Sequence, residues 1–239
     1  MKLQFLVLLV AVVFFSLTVR VFAQDSDSDG FSDKAEKEIY GTDPKDSKSS
    51  PANVPDNIKS VNFGKLGFDC RTYFYKNIFE IKASGSDVWV NTDECRFVYQ
   101  EVSGNFTLVA KLDSVETADQ WTKAGLMIRN KIVPYSENVF LCMTNNKGYY
   151  FQARKESTAI TVSVGSTLNS QTGPYWMKLE RIGNTLNSYY SRDAEHWDSV
   201  GSTEIKLNEK VYAGLALTSH KKGVLATAKF SGFAIKKQQ

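Results

Sequence analysis

The chain has 239 residues, with 29 Lys and Arg against 26 Asp and Glu, two His and three Cys. Its positive charges are scattered without a dense Lys/Arg cluster, which argues against nucleic acid. No Cys-x-x-Cys and no His cluster occur, so neither a redox pair nor a zinc site is indicated.

Residues 1–23 read as a secretory signal peptide. Lys2 gives a positive start, Phe5 to Phe15 is an unbroken apolar run, and Val21-Phe22-Ala23 supplies small residues at the cleavage positions. Arg20 interrupts the apolar stretch well short of the roughly 20 residues a bilayer span needs. Cleavage after Ala23 is therefore expected, with no stable membrane span afterwards and a secreted, periplasmic or cell-surface location. In an oxidising compartment Cys70, Cys95 and Cys142 allow one disulfide and leave one thiol. Cys70–Cys95 is one pairing open to the chain; Cys142, inside Val139–Thr144, reads as a buried inert thiol.

Charge is divided along the rest of the chain. From Asp25 to Asp56 acids outnumber bases nine to four, whereas from Asn57 onward bases outnumber acids 23 to 17. The acidic part opens with Asp25-Ser-Asp27-Ser-Asp29-Gly30-Phe31-Ser-Asp33-Lys-Ala-Glu36. Counted from Asp25, carboxylates fall at positions 1, 3, 5, 9 and 12, with glycine at 6, which is the spacing of an EF-hand calcium loop. Calcium takes six to eight hard oxygens. Asp25, Asp27 and Asp29 can turn inward, Phe31 can offer its carbonyl, Asp33 can bind directly or through water, and Glu36 can close the shell. The competing reading is a disordered acidic tail. A short helix from Asp33 to Tyr40 is expected to stop at Gly41-Thr-Asp43-Pro44. Through Ser47 the stretch resembles the single thrombospondin type 3 repeats of exported bacterial proteins, which bind calcium and serve as stiffened spacers or attachment segments. Residues 24–47 thus form a calcium-binding segment and residues 48–59, rich in Ser and Pro, a linker.

From about Ser60 the chain becomes a run of short alternating segments separated by turn residues. They include Phe79–Lys82, Cys95–Glu101, Phe106–Leu112, Lys123–Arg129, Asn138–Thr144, Tyr149–Lys155, Ala159–Val164, Trp176–Ile182, Leu186–Ser191, Val211–Thr218 and Ala226–Ile235. Many strands without long amphipathic helices indicate a sandwich or barrel. Gly183-Asn184 suits a tight hairpin with glycine first. The expectation for residues 60–239 is an all-β, two-sheet jelly-roll sandwich.

A series of motifs follows in order: Gly85-Ser-Asp87-Val-Trp89, Phe97-Val-Tyr-Gln100, Trp121 to Arg129, Phe151-Gln-Ala-Arg154, Pro174-Tyr-Trp176, Arg181-Ile-Gly-Asn184, Ser191-Arg-Asp193 with Trp197, and Val211 to His220. From about Val61 to Ile235 this resembles the concanavalin A-like family of largely uncharacterised domains that includes the "regulation of enolase" proteins. The resemblance implies a jelly roll and association with extracellular carbohydrate-active proteins. The family's Asp-Gly turn is Asp193-Ala194 here, and the stretch around Cys70 is unlike the family's opening.

Parity assembles a candidate site. Trp121, Lys123, Met127 and Arg129 share one side of their strand, and Tyr150, Gln152 and Arg154 one side of theirs. Thr218 and His220 follow the same rule in the later strand. If these sides line the concave sheet, Trp121, Lys123, Arg129, Tyr150, Gln152, Arg154 and His220 make a trough suited to carbohydrate, with aromatic faces for stacking and planar groups for hydroxyls. The alternative is that Trp121 and Met127 plug the sandwich edge and both arginines pair with nearby carboxylates. Trp89, Trp176 and Trp197 read as packing residues. The strongest strand candidates, Lys123–Arg129 and Tyr149–Lys155, carry no acids and no Gly-x-Ser-x-Gly elbow occurs, so a non-catalytic binding module is favoured over a glycan hydrolase or lyase. A structural or adhesive module engaging a cell-surface protein is the third reading.

Overall fold

The computed structural model describes residues 23–144, 147–167 and 175–238. The expected signal peptide lies outside these apart from Ala23, as does Pro174 of the motif Pro174-Tyr-Trp176. Fourteen strands follow a short N-terminal segment: β1 (Lys59–Phe63), β2 (Arg71–Tyr75), β3 (Ile78–Ala83), β4 (Cys95–Ser103), β5 (Phe106–Glu116), β6 (Lys123–Arg129), β7 (Asn138–Thr144), β8 (Gly148–Arg154), β9 (Val162–Ser166), β10 (Tyr175–Ile182), β11 (Thr185–Ser191), β12 (Asp198–Glu204), β13 (Lys210–Thr218) and β14 (Ala226–Lys237). They pair in the order β1-β4-β13-β6-β7-β8-β9-β12-β11-β10-β5-β14-β3-β2. The sheet doubles over between β9 and β12, which meet through one residue pair, Gly165 opposite Gly201. A Cβ on Gly165 would stand 2.1 Å from the Val200 carbonyl oxygen, so the chains close at this corner only without a side chain. Seven strands lie on each side of the bend, forming an all-β, jelly-roll-like sandwich.

Strict alternation builds its interior. Ala124, Leu126 and Ile128 of β6, Phe151 and Ala153 of β8, and Val211, Ala213 and Leu215 of β13 point inward from the first layer. They meet Phe106, Leu108 and Ala110 of β5 and Met177 and Leu179 of β10. Each large apolar side chain so buried contributes about 1.5–3 kcal/mol of transfer free energy. The first layer is also covered on its outer face. Every residue of β6 is buried, and Met127, Phe140, Cys142 and Ala216 form a second apolar cluster there with Val88 and Phe97. Cys70, Cys95 and Cys142 are all buried and unpaired.

What covers that face is the stretch between β3 and β4. Gly85 adopts φ +142° where the chain turns, and a Cβ there would lie 2.1 Å from the Glu94 carbonyl. From Asp87 to Asp93 the backbone then runs over the outer side of β6 and β8. Val88 packs into the second cluster with no exposed surface, and Asp93 is equally buried.

The N-terminal segment is fastened to the second layer. One α-helical turn, Asp33–Ala35, continues as a wider turn over Glu36–Tyr40 and ends at Gly41 with φ +73°. Phe31 meets Tyr40 edge-on at 5.4 Å and Tyr73 of β2 at 5.6 Å, and Tyr40 meets Tyr75 at 4.9 Å. The Lys76 ammonium donates to the Ile39 carbonyl at 2.9 Å. In the expected linker, the Pro51 carbonyl accepts from the Phe74 amide at 2.7 Å. Since β2 pairs with β3 alone among the described strands, these contacts cover a sheet edge.

Candidate functional site

Two constellations carry chemistry. In the first, Asp25, Asp27 and Asp29 each bring a carboxylate oxygen within 4.8 Å of the others. The local fold produces this. Asp25 accepts from the amides of Ser28 at 2.8 Å and Gly30 at 3.1 Å, Asp27 from Asp29 at 3.3 Å, and Asp29 from Phe31 at 2.9 Å. With one oxygen of Asp27 and one of Asp29 bound to backbone, Oδ2 of each is buried without a partner, and so is Oε2 of Glu36. Glu36 is fully buried, and its Oε1 accepts from the Thr42 hydroxyl at 2.9 Å. Burial, and then the neighbouring carboxylates, push Asp27 and Glu36 above the usual carboxylate range. Orphaned hard oxygens on three buried or half-buried acids fit a hard cation such as calcium. The residues that would hold it are Asp25, Asp27, Asp29 and Glu36, with Phe31 offering its carbonyl. Asp33, expected to bind directly or through water, also holds the loop together. Its Oδ1 accepts from the Ser26 amide and its Oδ2 from the Ser26 hydroxyl, both at 2.7 Å, so this carboxylate ties the loop shut.

The second constellation lies on the outer face of the first layer, at the end where β6 and β8 begin and β13 finishes. A cavity of about 320 Å³ is lined there by Asp87, Trp89, Trp121, Lys123, Tyr150, Gln152 and His220. Five of these are among the seven residues assembled by parity. Lys123 is nearly fully buried; its ammonium sits 2.6 Å from Asp87, donates to the Val88 carbonyl at 3.3 Å and stands 5.2 Å over the Trp89 ring. His220 lies two residues beyond β13 with φ +58°, a left-handed conformation that swings its ring off the strand line. Its Nδ1 is 2.9 Å from Asp119 and its Nε2 is 3.5 Å from Asp87. The Trp121 amide donates to Asp119 at 2.8 Å, and this bond and the neighbouring His220 hold the Asp119 carboxyl below its usual range. Trp121 and Tyr150 meet edge-on at 5.8 Å. Gln152 is buried, with Oε1 lacking a partner. Aromatic walls, an acceptor in Asp87 and the unpartnered Gln152 oxygen give the cavity the means to hold a hydroxyl-rich ring.

Arg129 and Arg154 do not reach the cavity. Both are fully buried, and each guanidinium lies 2.5 Å from one oxygen of Asp93. Arg154 also donates to the carbonyls of Val90 at 2.8 Å, Ala159 at 3.1 Å, Pro134 at 3.1 Å and Ser136 at 3.2 Å. Arg129 donates to the Val133 carbonyl at 2.5 Å and stands 4.3 Å over Phe63. They are anchors for the covering stretch. Parity put them on the correct face but could not see that another segment lies over it. The same stretch supplies what the sequence reading left out of the site: Asp87 and Trp89, the latter read as a packing residue but 38% exposed at the cavity. Asp119 reaches His220 from the turn before β6.

Away from the cavity, Asp193 and His196 also stand together at 2.8 Å. Asp193 accepts from the amides of Glu195 at 2.9 Å and His196 at 2.8 Å, so its carboxylate is spent on holding the turn.

Residues 25–47 match the bacterial TSP3 repeat, a calcium-binding type of segment. No curated protein matches the chain. Solved structures match its fold. A functionally unknown protein from Saccharomyces cerevisiae superposes with a TM-score of 0.60 at 13% identity, over 77% of this chain and 97% of that one. The carbohydrate binding module CBM66 from Bacillus subtilis gives 0.53 at 12% identity, over 76% and 96%. The GH43 BlXynB protein from Bacillus licheniformis gives 0.55 at 16% identity, over 78% of this chain but 40% of that one. At such identities the likeness is one of fold. Among the described residues no helix is long and apolar enough to cross a membrane.

Proposed function

We propose that the chain is an exported, non-catalytic module that binds carbohydrate in the cavity bounded by Trp89, Trp121 and Tyr150, with calcium held by its N-terminal segment. The observation that carries this reading is the cavity's composition: three aromatic side chains surround Asp87, Lys123, Gln152 and His220 at one end of a sandwich face. Sugars offer apolar ring faces and many hydroxyls, and this lining meets both needs. A fold shared with a carbohydrate binding module and with GH43 proteins is in keeping with it, as is the resemblance to the family that includes the "regulation of enolase" proteins. In this reading residues 24–47 hold calcium, residues 48–59 link, and residues 60–239 bind. The test is titration of the purified chain against a panel of soluble polysaccharides, followed by tryptophan fluorescence, with Trp121→Ala beside the wild type. Saturable binding that weakens about tenfold or more in Trp121→Ala is expected. Binding unaffected by that change would refute this site, and release of reducing ends would make the chain an enzyme.

A further inference from the structure

We infer that the cavity takes the terminal, uncharged sugar of a glycan chain and not an internal stretch; this rests on the carbohydrate reading above. A concave sandwich face suits an extended polysaccharide only if it is open along its length. Here the path from Lys123 to Arg129 spans six residue steps, about 20 Å of strand at roughly 3.3 Å per residue. The stretch from Val88 to Asp93 fills most of it. Val88 is packed on Met127 and Phe140, and Asp93 sits between Arg129 and Arg154 at the far end. The pair Val88–Asp93 closes the stretch on itself, and the Asp93 amide donates to the Pro134 carbonyl at 2.9 Å. What remains is a recess of about 320 Å³ walled by this stretch on its Arg129 side, near the lower end of the roughly 300–1,000 Å³ range of small-molecule sites. A chain running along the strands into this recess meets the stretch and ends there.

The charges inside select against acidic sugars. Lys123 is already paired to Asp87, and His220 stands between Asp87 and Asp119. A carboxylate brought into the recess would face Asp87 with Lys123 already spent on it. Hydroxyl groups fit better: Asp87 accepts from them, and the buried, unpartnered Gln152 oxygen accepts another.

The experiment counts ends. A glycan array identifies the polysaccharide bound, and the wild-type chain is then titrated with it intact and after partial cleavage by an endo-acting hydrolase, at equal mass. Binding capacity is expected to rise in proportion to chain ends, so that tenfold more ends give about tenfold more sites, and polygalacturonate is expected to bind less than its methyl ester. Capacity that follows mass regardless of cleavage overturns the chain-end assignment while leaving carbohydrate binding intact. Preference for the free acid overturns the neutral-sugar assignment. Silence across the array removes the carbohydrate reading itself.

A separate observation carries a second inference. We propose that calcium at the N-terminal loop clamps that segment onto the β2 edge, so that it acts as part of the sandwich and not as a free spacer. Phe31, whose carbonyl is offered to the cation, places its ring against Tyr73 of β2, and Tyr40, four residues past Glu36, places its ring against Tyr75. Without a cation the clustered carboxylates repel, and the backbone that moves to relieve this carries Phe31, two residues from Asp29, and Tyr40. The test is thermal unfolding and calorimetric calcium titration of the wild type and of Tyr73→Ala. Calcium is expected to raise the wild-type Tm. Tyr73→Ala is expected to bind calcium roughly 2–10-fold more weakly, the worth of one aromatic pair, and to show a smaller rise. A wild-type Tm indifferent to saturating calcium, or a Tyr73→Ala variant with unchanged affinity and rise, overturns the clamp.

Discussion

Replacing Asp93 by alanine tests the arrangement beneath the covering stretch. Asp93, Arg129 and Arg154 have no exposed surface, and one carboxylate serves both guanidiniums. Removing a partner from a buried ion pair costs about 3–5 kcal/mol, because the remaining charge is left unpaired in a medium that solvates it poorly. Two guanidiniums would be left here, though Arg154 keeps its carbonyl partners. The upper part of that range is therefore expected. For a domain of this length each kcal/mol shifts Tm by about 2–4 °C, so about 4–5 kcal/mol should lower it by roughly 8–20 °C. Urea denaturation with a fixed m-value is the measure of ΔΔG. The triple change Asp93→Leu, Arg129→Met, Arg154→Leu removes all three charges, and it should recover much of the loss, since buried ion groups are often replaceable by apolar packing. A cost below about 1 kcal/mol for Asp93→Ala would refute the placement of Asp93 as the shared counter-charge.

Other outcomes follow from local geometry. Ala194 holds φ +66° in the turn after β11; relieving a left-handed alanine is worth about 1–2 kcal/mol, partly offset by glycine's freedom when unfolded, so Ala194→Gly should stabilise by about 0.5–1 kcal/mol in urea denaturation. Glu80 is buried, which raises its pKa, but the Tyr75 hydroxyl at 2.8 Å and the ammonium groups of Lys82 and Lys229 more than reverse this and hold it below its usual range. A depressed carboxyl stabilises the fold above its unfolded value of about 4.3 and loses that contribution as pH falls through the folded value; the Tm gap between wild type and Glu80→Gln should thus be widest near neutrality and shrink below about pH 4. Substituting Asp27 and Asp29 together by alanine should abolish calorimetric calcium binding, because the orphaned oxygens belong to those residues and Glu36.

The sequence was most readable where burial is two-sided and alternation strict. The bounds of β6 and β7 follow from Lys123–Arg129 and Asn138–Thr144, whose every second residue is apolar and inward. Gly183 at φ +59° closes the hairpin that Gly183-Asn184 announces. β1, β2 and β12 had no such signal: Lys59–Phe63 is mostly exposed, and β12 carries Gly201 at the corner and a register shift against β11. β1 is fixed by β4, with Lys59 opposite Tyr99, a pairing no local pattern encodes; β2 and β12 pair with the strands next to them in sequence, but their own residues carry no alternation to read. The same holds for the site. Parity placed Trp121, Lys123, Tyr150 and Gln152 on one face because a strand dictates where its own side chains point. Whether that face is open depends on Asp87 to Asp93, an irregular stretch without a period to read. The arginines looked like ligand-binding groups for the reason they make good anchors: each offers a planar fork to a carboxylate.

The meeting of Gly165 and Gly201 gives the sandwich a spine. Along that margin the two covers are joined through backbone hydrogen bonds, whereas at the opposite margin β1 and β2 end the sheet. A methyl group added to most outward positions troubles one layer. Added at Gly165, it would press on Val200 and force both covers apart at once. Fraying should begin at the fore-edge, and the amides of β6, β7 and β13, buried on both faces between the two margins, should be the slowest to exchange with solvent, ahead of the single pair at the spine.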